Sequence, residues 1–209
     1  MSNTSDAYME LSDPDVWGET YDAQFGMGPQ GRKLGAFEIA SFSFGVTPDE
    51  EAAGGTKAKA KPAPAAPGST KGTASIAEPT VGKFTIKKYV DKASPDLFLT
   101  CLKKKTIKWG IITVRETGEE QRKPYLVLEF TDLTVDSFHW DMNPGDPESS
   151  AETETVDFSF QTILIKYSRQ EKSGAHQVVK MKGWNRNTHN DSVDELDTGS
   201  HAGQASEQH

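Results

Sequence analysis

The sequence predicts a mainly β fold, a small antiparallel β-barrel of two curled sheets with one short α-helix near residues 94–105. Three observations predict it. Apolar and polar residues alternate in run after run, the two-residue period of half-buried strands. Inside several runs the apolar parity switches, as a β-bulge makes it do, and bulged strands bend enough to close a barrel. One stretch only, FTIKKYVDKASPDLFLTCL at 84–102, passes from strand period to a capped helix.

That stretch sets the element pattern. Phe84 and Ile86 share one parity, with Lys83, Thr85 and Lys87 on the other. Ser94 stands where an N-cap hydroxyl accepts a backbone N–H, and Pro95 follows at the first helical position, where a missing N–H costs nothing. Asp96 lies beside the positive end of the helix dipole and Lys103, Lys104 and Lys105 beside the negative end. Leu97, Cys101 and Leu102 make the apolar stripe expected to face a sheet.

The other elements follow in order. Ala7, Met9 and Leu11 mark a first strand, and a turn-rich stretch and a Gly-rich loop lead to Gly35. Phe37 and Ile39 share one parity and Phe42 and Phe44 the other, placing a bulge near Ala40-Ser41. Ser41 and Ser43 then fall on a small, polar face opposite Phe42 and Phe44. Ile107, Trp109 and Ile111 open a further strand, and Ile112 and Val114 supply its second face. Leu126, Leu128 and Phe130 give way to Leu133 and Val135, placing a second bulge near Thr131-Asp132. Val156 to Phe160, Ile163 to Tyr167 and Gln177 to Trp184 complete the strands.

Two segments carry almost no large apolar side chains. Residues 47–80 have Ile76 alone, in an Ala-, Pro- and Lys-rich background, and 187–209 have only Val193 and Leu196. Without them about 150 residues remain, the size of one ordinary domain. The expected organisation is one domain over 1–187, with an extended loop at about 47–80, and a polar, disordered tail over 188–209.

Composition narrows the function. The net charge of −8 argues against a nucleic-acid surface, which needs clustered Lys and Arg, and the runs Lys87-Lys88 and Lys103–Lys105 read as solvated faces. One cysteine, Cys101, excludes a disulfide framework within the chain. The N-terminus shows no basic, then apolar, secretory signal, and no run reaches the length of a transmembrane helix. A protein made soluble in the cytoplasm is therefore expected, with no membrane insertion, and if it leaves the cell something other than a cleaved signal carries it. The five histidines lack zinc-ligand spacing, and no nucleophile elbow, phosphate loop or dinucleotide fingerprint is present. No enzyme, cofactor or metal is expected.

Four ordered stretches resemble the haemolysin-coregulated protein (Hcp) family, the inner-tube subunit of type VI secretion systems. FTIKKYVDKASPDLFLTC at 84–101 resembles its helix-entry segment, through Asp91, Lys92, Ser94 and Pro95. VWGETYD at 16–22 is similar to its turn after the first strand, through Gly18, Glu19 and Asp22. SFSFGV at 41–46, with Gly45, resembles the strand end before its long loop, and VKMKGWN at 179–185, with Gly183 and Trp184, its closing strand. The loop after Val46 is longer than is usual there, and the tail beyond Asn187 is extra.

The resemblance implies a homohexameric ring that stacks into a tube, with sheath and spike proteins as partners and small effectors in the lumen. It makes Ser41 and Ser43 candidates for the lumen side. It assigns ring stacking to the loop from Thr47 to Thr80, with Lys57, Lys59, Lys61 and Lys71. Two alternatives stand beside it. One is a tube protein of a phage-like or extracellular contractile system; the other is a monomeric binding module or effector, favoured if Trp17, Trp109, Trp140 and Trp184 share an exposed face.

Overall fold

The computed structural model describes residues 5–12, 16–22, 25, 35–47, 80–116, 124–141, 152–170 and 176–196. Ten strands and one helix follow in order: β1 (Ser5–Ser12), β2 (Phe37–Ser43), β3 (Val46–Thr47), β4 (Thr80–Val81), β5 (Phe84–Tyr89), α1 (Ser94–Lys103), β6 (Thr106–Glu116), β7 (Pro124–Asp141), β8 (Thr153–Ser159), β9 (Thr162–Gln170) and β10 (His176–Asn185). The main sheet runs β10-β9-β7-β6-β1-β2-β5-β8, and β8 also pairs with β7. That last pairing closes six antiparallel strands, β7-β6-β1-β2-β5-β8, into the expected barrel, with β9 and β10 as a flap beyond it.

Two strands make the corners. β2 pairs with β1 through Phe37–Ile39 and with β5 through Ser41–Ser43, and the register slips between Ile39 and Ser41, where the phase change predicts it. β7 pairs with β9 through Leu126–Thr131 and with β8 through Thr134–Asp141. Its corner differs from the expectation. The phase change at Thr131-Asp132 comes from Asp132, whose φ of 49° is left-handed, while the register with β6 continues past it and the slip falls between Val135 and Ser137. The barrel is thus two curled walls sharing bent strands. One wall is the start of β2 with β1, β6, the start of β7, β9 and β10; the other is the end of β2 with β5, β8 and the end of β7.

Inside, Met9, Phe37, Phe84, Ile86, Leu97, Ile112, Phe130, Leu133, Val156 and Phe158 are buried. Phe42 and Phe44 pack onto this core as expected, Phe42 stacking on Phe84 and Phe44 tilted against Phe160. On β6 the inward residues are Ile107, then Gly110, Ile112 and Val114, so Ile111 faces out, contrary to the parity expected from Ile107. A Cβ at Gly110 would stand 2.8 Å from Leu11 Cδ2 and 3.3 Å from Leu133 Cδ2, so a side chain there would push these two leucines aside.

α1 plugs one end of the barrel through Leu97, with Ser94 and Thr100 also buried. Two expectations fail here. Ala93, not Ser94, holds the N-cap position and has no side-chain group to cap with, while the Ser94 hydroxyl turns back to accept the Asp91 N–H at 3.0 Å. Leu102 is 65% exposed, since five residues carry it about 140° round the helix from Leu97. The helix ends where Lys104 turns left-handed and donates to the Cys101 carbonyl.

Candidate functional site

The site is the outward face of the wall formed by the end of β2, β5, β8 and the end of β7. Phe84, Ile86, Val156 and Phe158 point inward on β5 and β8, so alternation sends the intervening residues out. Their register makes two rows. Ser43, Thr85, Asp157 and Ser137 lie side by side, and Ser41, Lys87, Thr155 and His139 form the next row. Ser41 and Ser43 are exposed here.

Hydroxyls and opposite charges neutralise one another across this face. Asp157 accepts hydrogen bonds from Ser137 and Thr85, each at 2.6 Å. Those two bonds hold its pKa below the ordinary carboxylate value against the opposing effect of burial. At its edge Lys83 pairs with Asp136 at 3.2 Å, and Ser159 donates to the same carboxylate at 2.8 Å. The face offers water five hydroxyls with Asp157, Lys87 and His139, and no large apolar side chain from these two rows.

At the α1 end of this wall lies a buried charge cluster. Lys88 and Glu154 are both 0% exposed, with Nζ 2.7 Å from Oε1. Lys88 also donates to Asp91 Oδ1 at 2.6 Å and to the Tyr89 carbonyl at 2.8 Å, with Ser94 Oγ at 3.4 Å. Asp91 Oδ1 in turn accepts the Ala93 N–H. So Asp91, Ser94 and Pro95 of the helix-entry motif form the turn that closes over a buried lysine, while Lys92 is exposed. This overturns the reading of Lys87-Lys88 as a solvated run. Lys88 continues the inward parity of Phe84 and Ile86, and its charge is matched by Glu154, which no spacing in the sequence reveals.

The opposite wall carries the second cluster. Asp22 accepts two bonds from the Arg115 guanidinium, at 2.6 and 3.2 Å, and Arg115 lies against the Tyr8 and Phe25 rings. Burial, with Asp22 and Asp6 nearby, pushes the Tyr8 phenol up to about 12. Gly18 donates to the Gly35 carbonyl, and a Cβ on it would stand 2.3 Å from the Ala36 carbonyl oxygen, so this turn accepts only glycine. Glu19 is exposed.

The remaining expected residues that are described fall at the barrel's other end. Thr47 and Thr80 are register partners on β3 and β4, the root from which the long loop leaves and returns. Below it the Gly82 N–H donates to the Gly45 carbonyl at 2.9 Å. Lys57, Lys59, Lys61 and Lys71 lie outside the described residues. Trp184 and Gly183 line an apolar cavity of about 260 Å³ with Phe44, Val46, Val81 and Ile163. At the α1 end, Phe98 stacks on Trp140, which is 51% exposed, beside exposed Leu99 and Leu102. Trp140 and Trp184 therefore sit at opposite ends of the barrel, and the four tryptophans share no single face.

Among the described residues no group of His, Cys, Asp and Glu is arranged to hold a metal ion, and no helix is long and apolar enough to cross a membrane.

Comparison with known proteins gives a consistent set of similarities. The family described as "Type VI secretion system effector, Hcp" matches residues 8–167. Protein hcp1 of Pseudomonas aeruginosa is 28% identical over 106 residues, which are 50% of this chain and 64% of that protein, so the match spans just under two thirds of that curated relative. The crystal structure of Hcp1 from Salmonella typhimurium superposes with a TM-score of 0.62 at 21% identity, covering 90% of this chain and 99% of that one. A structure described as that of a type six secretion system protein reaches 0.68 at 18% identity, over 90% and 100%. A type VI secretion system effector from Yersinia pestis gives 0.56 at 19% identity, over 86% and 99%.

Proposed function

The chain belongs to the Hcp family of type VI secretion proteins, and from that premise we propose that it is a structural tube subunit whose hydroxyl-lined wall borders the channel. The observation that carries this reading is the paired rows Ser43-Thr85-Asp157-Ser137 and Ser41-Lys87-Thr155-His139 on the outside of a closed barrel. A channel wall must shed what passes along it, and short hydroxyls with balanced charge do that.

A ring closes through two different surfaces on each subunit, one meeting the other on the neighbour. The two ends of the barrel supply apolar area for such contacts: Phe98, Leu99, Leu102 and Trp140 at one end, and the cavity around Val46, Val81 and Trp184 at the other. Six copies per ring follow the family. The loop rooted at Thr47 and Thr80 contacts the next ring, with Lys57, Lys59, Lys61 and Lys71 as its positive charges. Sheath and spike proteins bound the tube, effectors travel in it, and export needs no cleaved signal. The role is structural, with no reaction assigned.

Negative-stain electron microscopy of the purified full chain tests the reading. Six-fold rings with an open centre are expected; single 22.9 kDa particles at high concentration would overturn it. A deletion of residues 52–73 is expected to keep rings and weaken stacking, and loss of the rings themselves removes the stacking role from this loop.

A further inference from the structure

The chain does not leave the fold where β10 ends. Asn185 Oδ1 accepts the N–H groups of Asn187 and Thr188, at 2.9 and 3.2 Å, a side-chain-made turn that reverses the backbone. His189, with φ of 51°, completes the reversal, and the Asn185 N–H donates to the Asn190 carbonyl at 2.9 Å. Arg186 ties the turn to the barrel. Its N–H donates to the Gln161 carbonyl and its guanidinium to the Phe160 carbonyl. Asn190 Oδ1 then accepts the Ser192 N–H.

From there the segment crosses three strands in sequence. Val193 lies on Gly183 of β10, so close that a Cβ there would stand 2.6 Å from Val193 Cβ. Glu195 pairs with Lys166 of β9 at 2.8 Å, and Lys166 also holds Glu129 of β7 at 2.5 Å. The Leu196 N–H donates to the other oxygen of Glu129 at 3.2 Å. Glu129, Leu164 and Gly183 are register neighbours, so they share one face of the sheet. That face is the outward one, because Leu128 and Phe130, flanking Glu129, point into the core. Leu164 is 2% exposed there, between the two points at which Val193 and Leu196 are anchored.

We propose that residues 186–196 are a built-in strap that seals the outward face of β7, β9 and β10. It delivers whatever follows residue 196 to the barrel wall opposite the hydroxyl rows. Resting on the channel reading above, this puts any appended segment on the outside of the tube and not in its lumen. The strap explains Gly183 in the same stroke: any side chain there displaces Val193. It also accounts for Val193 and Leu196 as the two large aliphatic residues of an otherwise polar tail. Both are apolar where the strap meets the sheet.

Two readouts on the full chain test this. Hydrogen exchange is measured at the Asn185 and Leu196 amides in the unaltered protein and in V193D and G183A. Protection of roughly tenfold or more over an unstructured chain is expected, lost in both variants while the β5 and β6 amides keep theirs. Unprotected amides in the unaltered protein overturn the strap. In the second readout, a gold-labelled tag added after His209 is located in end-on rings. Gold at the outer rim supports the outward exit, and gold in the central hole overturns it. A failure to form rings sinks the channel reading, and the outward exit with it, while the exchange result still decides the strap.

Discussion

Lys88 shows how much a single residue's surroundings decide in this fold. Its ammonium is fully buried with Glu154, Asp91 and a backbone carbonyl, and the Phe37 ring lies 5.3 Å from Nζ. Removing one partner of a buried pair leaves the other charge without compensation, which costs about 3–5 kcal/mol. Lys88→Met is therefore expected to lose that much in denaturant unfolding, and adding Glu154→Gln is expected to return most of it. A single variant within about 1 kcal/mol of the parent would show that Glu154 finds water or another donor. Glu10 makes the opposite case. Burial alone pushes its carboxyl up to about 7, so the folded state holds a proton that the unfolded chain releases near 4.5. A raised carboxyl pKa stabilises the fold at acid pH, and that stability falls as pH rises from about 4.5 to 7. Glu10→Gln is thus expected to raise the melting temperature at pH 8 and to leave it unchanged at pH 4. An equal effect at both pH values contradicts the assignment.

At the scale of the element, the corners carry the fold. The parity switches that place them are legible in the sequence, because side chains alternate strictly and a slip of phase moves every later residue to the other face. The switch in β2 falls where it is expected. The mechanism in β7 was not legible, since a left-handed residue changes phase without an extra residue in the ladder with β6. Asp tolerates that conformation better than most non-glycine residues. Asp132→Gly is expected to be neutral or slightly stabilising, whereas Asp132→Val strains a β-branched side chain and should cost about 1–3 kcal/mol, read from urea midpoints. Equal effects would mean that the corner relaxes. The helix repeats the lesson. Pro95 and Asp96 mark its start correctly, but Ser94 is diverted to the turn over Lys88, a demand set by tertiary burial. Arg115 with Asp22 was hidden for the same reason, their separation in sequence being 93 residues.

For the whole molecule, the proposed tube role asks which wall would face a channel, and the two walls differ in kind. The wall of β1, β6, β9 and β10 is already covered in part, by Phe25 stacked on Tyr8 and by the strap over Leu164. The other presents the hydroxyl-rich rows, and the outward place of Ser41 and Ser43 is readable from their alternation with Phe42 and Phe44. Their neighbours Thr85, Thr155, Asp157 and Ser137 were not, because cross-strand register depends on pairings up to 72 residues apart. If this wall lines the channel, enlarging its exposed serines fills space that no other subunit occupies. Ser41→Tyr and Ser43→Tyr are then expected to change stability by less than about 0.5 kcal/mol, as exposed substitutions do. Rings should keep their outer diameter, and averaged end-on images should show a narrower central hole. If the rings fail to assemble while the monomer stays folded by circular dichroism, Ser41 and Ser43 lie in a contact between subunits. The channel would then have to be lined by the strap-bearing wall, which would also put the tail inside the tube.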